Sequence, residues 1–207
     1  MKKTLAENIY EKLLMRLLMN EYVPGEFLNR RTIAEEMGVS VAPVMEAMLR
    51  LKSEGFLENI SRVGTRVRLF KKDVILGHLI LREALECQAA RIYCGPCIKS
   101  NLNSLLKEAV LLDMIPEGTP EDFREEIRFH TKLVNLTGCG PLTEEFMRIA
   151  NISLFCSLNR LPAIGVPVVK NNHKNLVESL LVDDEDKAEN IMREHLRKGK
   201  GNIFNQA

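Results

Sequence analysis

Tryptophan is absent from this 207-residue sequence, and aromatic residues together make up only 5% of it. With aromatics so few and long stretches of 3.6-residue period dominating, the chain is predicted to be mainly helical. No apolar run reaches the roughly 18 residues of a membrane span. Met1-Lys2-Lys3-Thr4 leads into an amphipathic stretch carrying Glu7 and Glu11 rather than the apolar block of a signal peptide. The expectation is a cytoplasmic protein with no membrane partner. The five cysteines are an odd number, and a chain of this length needs no disulfide staples, so reduced thiols are expected. No internal repeat and no low-complexity segment occurs. Net charge is +1, which by itself says nothing about nucleic acid.

What is present is an ordinary globular balance, 45% hydrophobic and 28% charged, enough for a core of useful size. Charge is distributed unevenly. Residues 1–72 hold 13 Lys and Arg against 9 Asp and Glu, a surplus of 4; residues 73–207 hold 16 against 19, a deficit of 3. A basic front on an acidic back fits nucleic-acid binding by the front half. Lys71-Lys72-Asp73 is the expected joint, giving domains 1–71 and 72–207.

In the front half a first helix is expected over about Thr4 to Asn20, with Ile9, Leu13, Leu17 and Leu18 on one side. Pro24-Gly25 breaks the pattern. A short helix follows over about Arg30 to Met37, ended by Gly38. Ser40 can cap a third helix, about Val41 to Ser53, with the apolar stripe Val44, Ala47, Met48 and Leu51. Phe56 to Ile60 and Thr65 to Leu69 are the only clear strand signals, joined by a Gly-containing turn. Three helices and a hairpin are the layout of a winged helix-turn-helix, whose third helix lies in a DNA major groove with its N-terminal residues facing base edges.

From residue 73 the pattern is helical to the end. Helices are expected over 73–94, 98–113, 119–137, 141–158, 168–182 and 184–199. Breaks fall at Gly95-Pro96, Pro116 to Gly118, Gly138 to Pro141 and Pro162 to Pro167. The expected fold class is therefore mainly α: a winged helix-turn-helix followed by an all-α bundle.

Pro24-Gly25-Glu26-Phe27-Leu28, Ile33 to Ser40, Pro43 to Met48 and Glu54-Gly55-Phe56-Leu57 resemble, in order and spacing, the signature of GntR-type regulators over residues 9–69. The resemblance implies a homodimer on a double-stranded DNA operator with two-fold symmetry. It implies DNA-facing positions at Arg31, Ser40, Val41, Ala42, Met45, Arg62 and Gly64. Arg31 matches the basic residue opening the second helix, and Arg62 and Gly64 match the wing tip. The sequence departs from the family at Val41 and Met45, where arginine is usual; an arginine bidentate to guanine contributes about 1–3 kcal/mol of discrimination. Lys52, Arg66 and Arg68 are further candidates for basic charge. The alternative for any one of these bases is a solvated face.

The sensing half carries the histidines. Among His78, His130, His173 and His195, the last three sit in amphipathic stripes of three different expected helices. One inward histidine is ordinarily a satisfied core residue. Three on separate helices are costly to bury unless something coordinates them. Glu126 lies one turn before His130 on the same face. Three imidazoles and a carboxylate suit a divalent transition metal: zinc, nickel, manganese or iron(II).

Residues 73–200 also resemble the FCD ligand-binding domain of the FadR branch of GntR regulators, through Arg82 to Glu86, Glu126 to His130, Asn172-His173 and Arg193 to Leu196. The resemblance implies that Glu126, His130, His173 and His195 hold one metal, with open positions taken by water or a small organic acid effector. Glu126 stands where aspartate is usual. Arg82 maps to a position that pairs with an effector carboxylate; the alternative is a salt bridge to Glu86, four residues on.

Cys94-Gly95-Pro96-Cys97 spells a thioredoxin-like tetrad, but no βαβ pattern surrounds it. It reads as a helix–helix turn carrying two thiols, with a redox-sensing disulfide as the alternative. Cys87, Cys139 and Cys156 are expected as core filler. The function that fits is a DNA-binding regulator controlled by an effector bound near a metal, and not an enzyme. Two alternatives remain: a metal-dependent hydrolase, since the cluster could activate water, and a sensor module that has lost DNA binding, for which Val41 and Met45 speak.

Overall fold

The structure is a computed structural model, and it describes residues 3–159 and 172–199. The chain divides into two compact units, Met1–Lys71 and Lys72–Ala207.

The first unit is a winged helix-turn-helix. Helix α1 (Leu5–Leu18) opens with a full capping box between Thr4 and Glu7, and buries Ile9, Leu13, Leu17 and Leu18. Helix α2 (Arg30–Met37) is capped by the Asn29 side chain and stopped by Gly38 in the left-handed region. Helix α3 (Val41–Ser53) packs on α1 and α2 through Val44, Ala47, Met48 and Leu51. Ser40 stands at its N-cap, but contrary to expectation its side chain makes no capping bond.

Three strands form the sheet rather than two. β1 (Phe27–Leu28) pairs antiparallel with β3 (Gly64–Val67), which also pairs with β2 (Leu57–Ile60), so the order is β1-β3-β2. At the turn between β2 and β3, Arg62 adopts φ 63°, rare for a residue with a side chain. Arg62, Val63 and Gly64 are all exposed there.

The second unit is all helix among the described residues. Helix α4 (Lys72–Tyr93) packs against α9 (Glu185–Gly199), α7 (Gly140–Asn159) and α6 (Pro120–Asn135). It is therefore buried on several sides, which is why its sequence shows no single apolar stripe. Helix α5 (Pro96–Met114) packs on α8 (His173–Ser179) and α6. The expected break at Pro162 to Pro167, and the expected helix start at 168, lie outside the described residues.

The Cys-Gly-Pro-Cys tetrad is the α4–α5 joint. Gly95 has φ 63°, and its N–H donates to the Leu180 carbonyl at 3.0 Å. A Cβ there would stand 3.3 Å from the Asp183 Cα and from the Val182 carbonyl oxygen, so glycine lets the joint press against the α8–α9 connection. Pro96 then opens α5 at a position that needs no N–H donor. All five cysteines are free thiols. Burial pushes the Cys94 thiol up, the opposite of an activated redox cysteine. Cys87 and Cys156 are buried as expected, whereas Cys139 is exposed at the start of α7.

Candidate metal centre and nucleic-acid interface

Helices α6, α8 and α9 each contribute one histidine to a single point in the second unit. His130, His173 and His195 are 0%, 5% and 9% exposed, which excludes scattered surface positions. One ring nitrogen of each lies within 4.8 Å of the others. Ring centroids are 5.6 Å apart for His130 and His173, 5.3 Å for His130 and His195, and 4.9 Å for His173 and His195. Phe129 meets both His130 and His173 edge-on, closing one side with hydrocarbon. His78 is not part of the cluster.

Two carboxylates behind the histidines set their tautomers. His130 Nδ1 is hydrogen-bonded to Glu86 Oε2, and His173 Nδ1 lies 2.9 Å from Asp113 Oδ1. A carboxylate at these distances accepts, so each Nδ1 donates, and in a neutral imidazole Nε2 is then the nitrogen that carries the lone pair. Both Nε2 atoms are buried without a hydrogen-bond partner. Leaving such an acceptor unsatisfied costs about 1–3 kcal/mol. Carboxylate-held imidazoles with the other nitrogen aimed at a common point are the arrangement around histidine-bound metals.

Electrostatics agree. Burial lowers the His130 pKa despite the opposing pull of Glu86. His195 is pushed well below its ordinary value, first by burial and then by the two neighbouring histidines. Both are held neutral, the form that binds metal. Burial raises the Glu86 pKa, but Arg82 and His130 outweigh it and keep the carboxylate ionised. For Asp113, burial is likewise outweighed by hydrogen bonds from the His173 side chain and the His173 and Lys174 N–H groups. Asp113 thus ties the start of α8 to α5.

The other two expected site residues, Glu126 and Arg82, lie against each other. Glu126 is not among the gathered ligand atoms; its Oε1 accepts from Arg82 Nη2 at 3.2 Å. This long carboxylate, one turn from His130, reaches the nearby Arg82 guanidinium. Arg82 is 1% exposed and makes the salt bridge to Glu86 that stood as its alternative, Nε to Oε1 at 2.6 Å. A chain of contacts thus runs Glu126–Arg82–Glu86–His130. Glu86 and Asp113 were not anticipated as partners of the histidines. The available signal was an acidic residue on an otherwise buried face, Glu86 one turn beyond Arg82. Beside His195 a cavity of about 170 Å³ is lined in part by Asn172, Asn175, Glu194 and Lys198.

In the first unit Arg31, Ser40, Val41, Ala42, Met45, Arg62 and Gly64 are all exposed, at the start of α2, the start of α3 and the wing tip. Two expected charges are engaged elsewhere. Arg66 bonds Glu58 across the β2–β3 ladder at 2.8 Å, and Arg68 Nε lies 4.0 Å from the same carboxylate. Lys52 is exposed and has no ion pair among the described residues. No helix among the described residues is long and apolar enough to cross a membrane.

Comparison with known proteins gives these units their family. Residues 5–67 match the bacterial regulatory proteins of the gntR family, and residues 79–198 match the FCD domain. The chain is 39% identical to YieP, an HTH-type transcriptional regulator of Escherichia coli strain K12, over 90% of each chain. It is 27% identical to an HTH-type transcriptional regulator in an unstable DNA locus of Streptomyces ambofaciens, over 94% of this chain and 83% of that one. The solved structure of E. coli McbR/YncC has the same fold, with TM-score 0.72 at 19% identity over 99% of both chains. Regulators of this family bind DNA operators, and some FCD domains bind metal. The chain belongs to the GntR family of bacterial transcription regulators, with an FCD domain as its ligand-binding region.

Proposed function

We propose that this regulator holds a divalent transition metal on His130, His173 and His195, and that a small organic acid completes the metal's coordination and thereby controls operator affinity. The observation that carries the reading is the pair of buried Nε2 atoms on His130 and His173, each left without a partner while its Nδ1 is held by a carboxylate. Zinc, nickel, manganese and iron(II) all accept three imidazoles. When bound, the metal supplies a Lewis-acid position that a carboxylate can occupy.

The protein's own groups do the rest. Glu86 and Asp113 orient the imidazoles. Arg82 holds two carboxylates, and an incoming acid competes with Glu126, its more weakly held partner at 3.2 Å. The cavity beside His195, whose wall carries Lys198, Glu194 and two asparagines, has room for an acid of a few heavy atoms. Acid binding and DNA binding are linked by a coupling free energy, typically about 1–3 kcal/mol. The regulator acts as a homodimer on a two-fold operator.

The test is a gel shift with the full chain on the duplex upstream of its own gene, at low salt, with metal present and a panel of small mono- and dicarboxylic acids. The expected result is a retarded complex whose apparent affinity changes about five- to 150-fold with one acid. A complex indifferent to every acid, and equally so after metal removal, contradicts the sensing half of the proposal. Absence of any complex contradicts the operator-binding half.

A further inference from the structure

The reading helix presents hydrocarbon where DNA-binding helices ordinarily present polar or basic groups. On α3, Val44, Ala47, Met48 and Leu51 are turned inward. Facing out are Val41 at 36%, Met45 at 42% and Leu49 at 55% exposure, four residues apart, with Ala42 and Glu46 beside them. Four-residue spacing keeps the three apolar side chains along one strip of the helix surface. The nearest candidate for a guanine-reading arginine is turned away. Arg50 stacks over the Tyr10 ring at 3.8 Å and bonds Glu54 at 3.0 Å.

The surroundings identify what covers this strip. Arg30 and Arg31 at the start of α2, Lys52 on α3 and Arg62 at the wing tip are exposed, and none has an ion pair among the described residues. Free cations around an apolar reading strip match a duplex, with phosphates outside and base edges within. Most base-edge atoms in the major groove are hydrogen-bond donors and acceptors, which valine and methionine cannot pair. The thymine 5-methyl is the hydrocarbon exception, and apolar side chains are its natural contact. Methionine, unbranched and polarisable, adapts to such a surface.

We infer that Val41 and Met45 read thymine methyl groups in the operator's major groove, so that specificity rests on hydrocarbon contact rather than on arginine–guanine pairing. The inference rests on the operator-binding part of the proposed function and names what that helix recognises. Ala42 is short enough to let the helix approach closely. Glu46, exposed on the same side, can accept from a cytosine amino group, which sets a second preference beside the thymine.

The test starts with in vitro selection of duplexes by the full chain from a randomised library. Each thymine of the selected core is then replaced by deoxyuridine, which removes only the 5-methyl, and affinity is read by fluorescence anisotropy at fixed salt. Burial of a methyl-sized group predicts about a three- to fourfold loss at each contacted thymine. In Val41→Ala/Met45→Ala the gap between thymine and uridine duplexes closes. Equal affinity of the native chain for both duplexes overturns the inference while leaving operator binding intact; so does a gap that survives in the double variant. Failure to bind any duplex at low salt overturns the operator-binding reading and this inference with it.

Discussion

In His130→Ala/His173→Ala, added divalent metal no longer raises the thermal unfolding midpoint, whereas it does so strongly in the native chain. The expectation follows from linkage. A ligand that binds only the folded state stabilises it by about 2.7 kcal/mol when free ligand is a hundredfold above Kd. The three imidazoles come from α6, α8 and α9, so the unfolded chain cannot reproduce their arrangement. Removing two of three ligands leaves His195 alone, too little to retain a transition metal against water. The double variant is also less stable without metal, because Glu86 and Asp113 lose their partners. The informative quantity is therefore the shift on adding metal, not the midpoint itself. Cys94→Ser/Cys97→Ser serves as the control and keeps the full shift. An equal shift in the histidine variant, or its loss in the cysteine variant, places the metal elsewhere.

Glu86→Ala is expected to destabilise the second unit by about 3 kcal/mol in metal-free urea denaturation, more than substitution of any acidic residue on the surface. Breaking a buried ion pair by removing one partner costs about 3–5 kcal/mol, because the remaining charge stays buried and uncompensated. Arg82 is 1% exposed and would retain only the longer contact to Glu126, which places the effect at the lower end. His130 would lose its hydrogen-bonded anchor in the same variant. Asp113→Asn provides the contrast. Asp113 is 21% exposed at its side chain, so loss of its charge is partly relieved by water. Its effect appears in metal affinity, about 10- to 100-fold weaker, as for other partners that orient a ligating histidine. A loss below about 1 kcal/mol for Glu86→Ala shows that Arg82 is held by something other than this pair.

Much of this was legible in the sequence, and the reasons are local. Gly38 and Ser40 frame the turn between α2 and α3, and the stripe from Val44 to Leu51 shows which side faces inward. His130, His173 and His195 stand on apolar stripes, so periodicity alone placed them inside. Strand β1 was not legible, because two residues carry no period and Phe27 and Leu28 pair with Arg66 and Thr65 far along the chain. The loss of Arg66 from the basic surface depends on a cross-strand neighbour, Glu58, and register is not written in charge alone. In the sequence Glu86 stands only as a partner for Arg82, four residues before it. Its contact with His130 spans 44 positions and arises from the packing of α4 on α6. Asp113 and His173 are 60 positions apart and meet for the same kind of reason, through α5 and α8.

X-ray absorption at the metal edge of the metal-loaded full chain reads the ligand atoms themselves. Three imidazole nitrogens are expected on the metal, at about 2.0–2.1 Å if it is zinc, with the remaining scatterers oxygen. A spectrum dominated by sulfur, or one without the outer-ring scattering of imidazole, would contradict this ligand set.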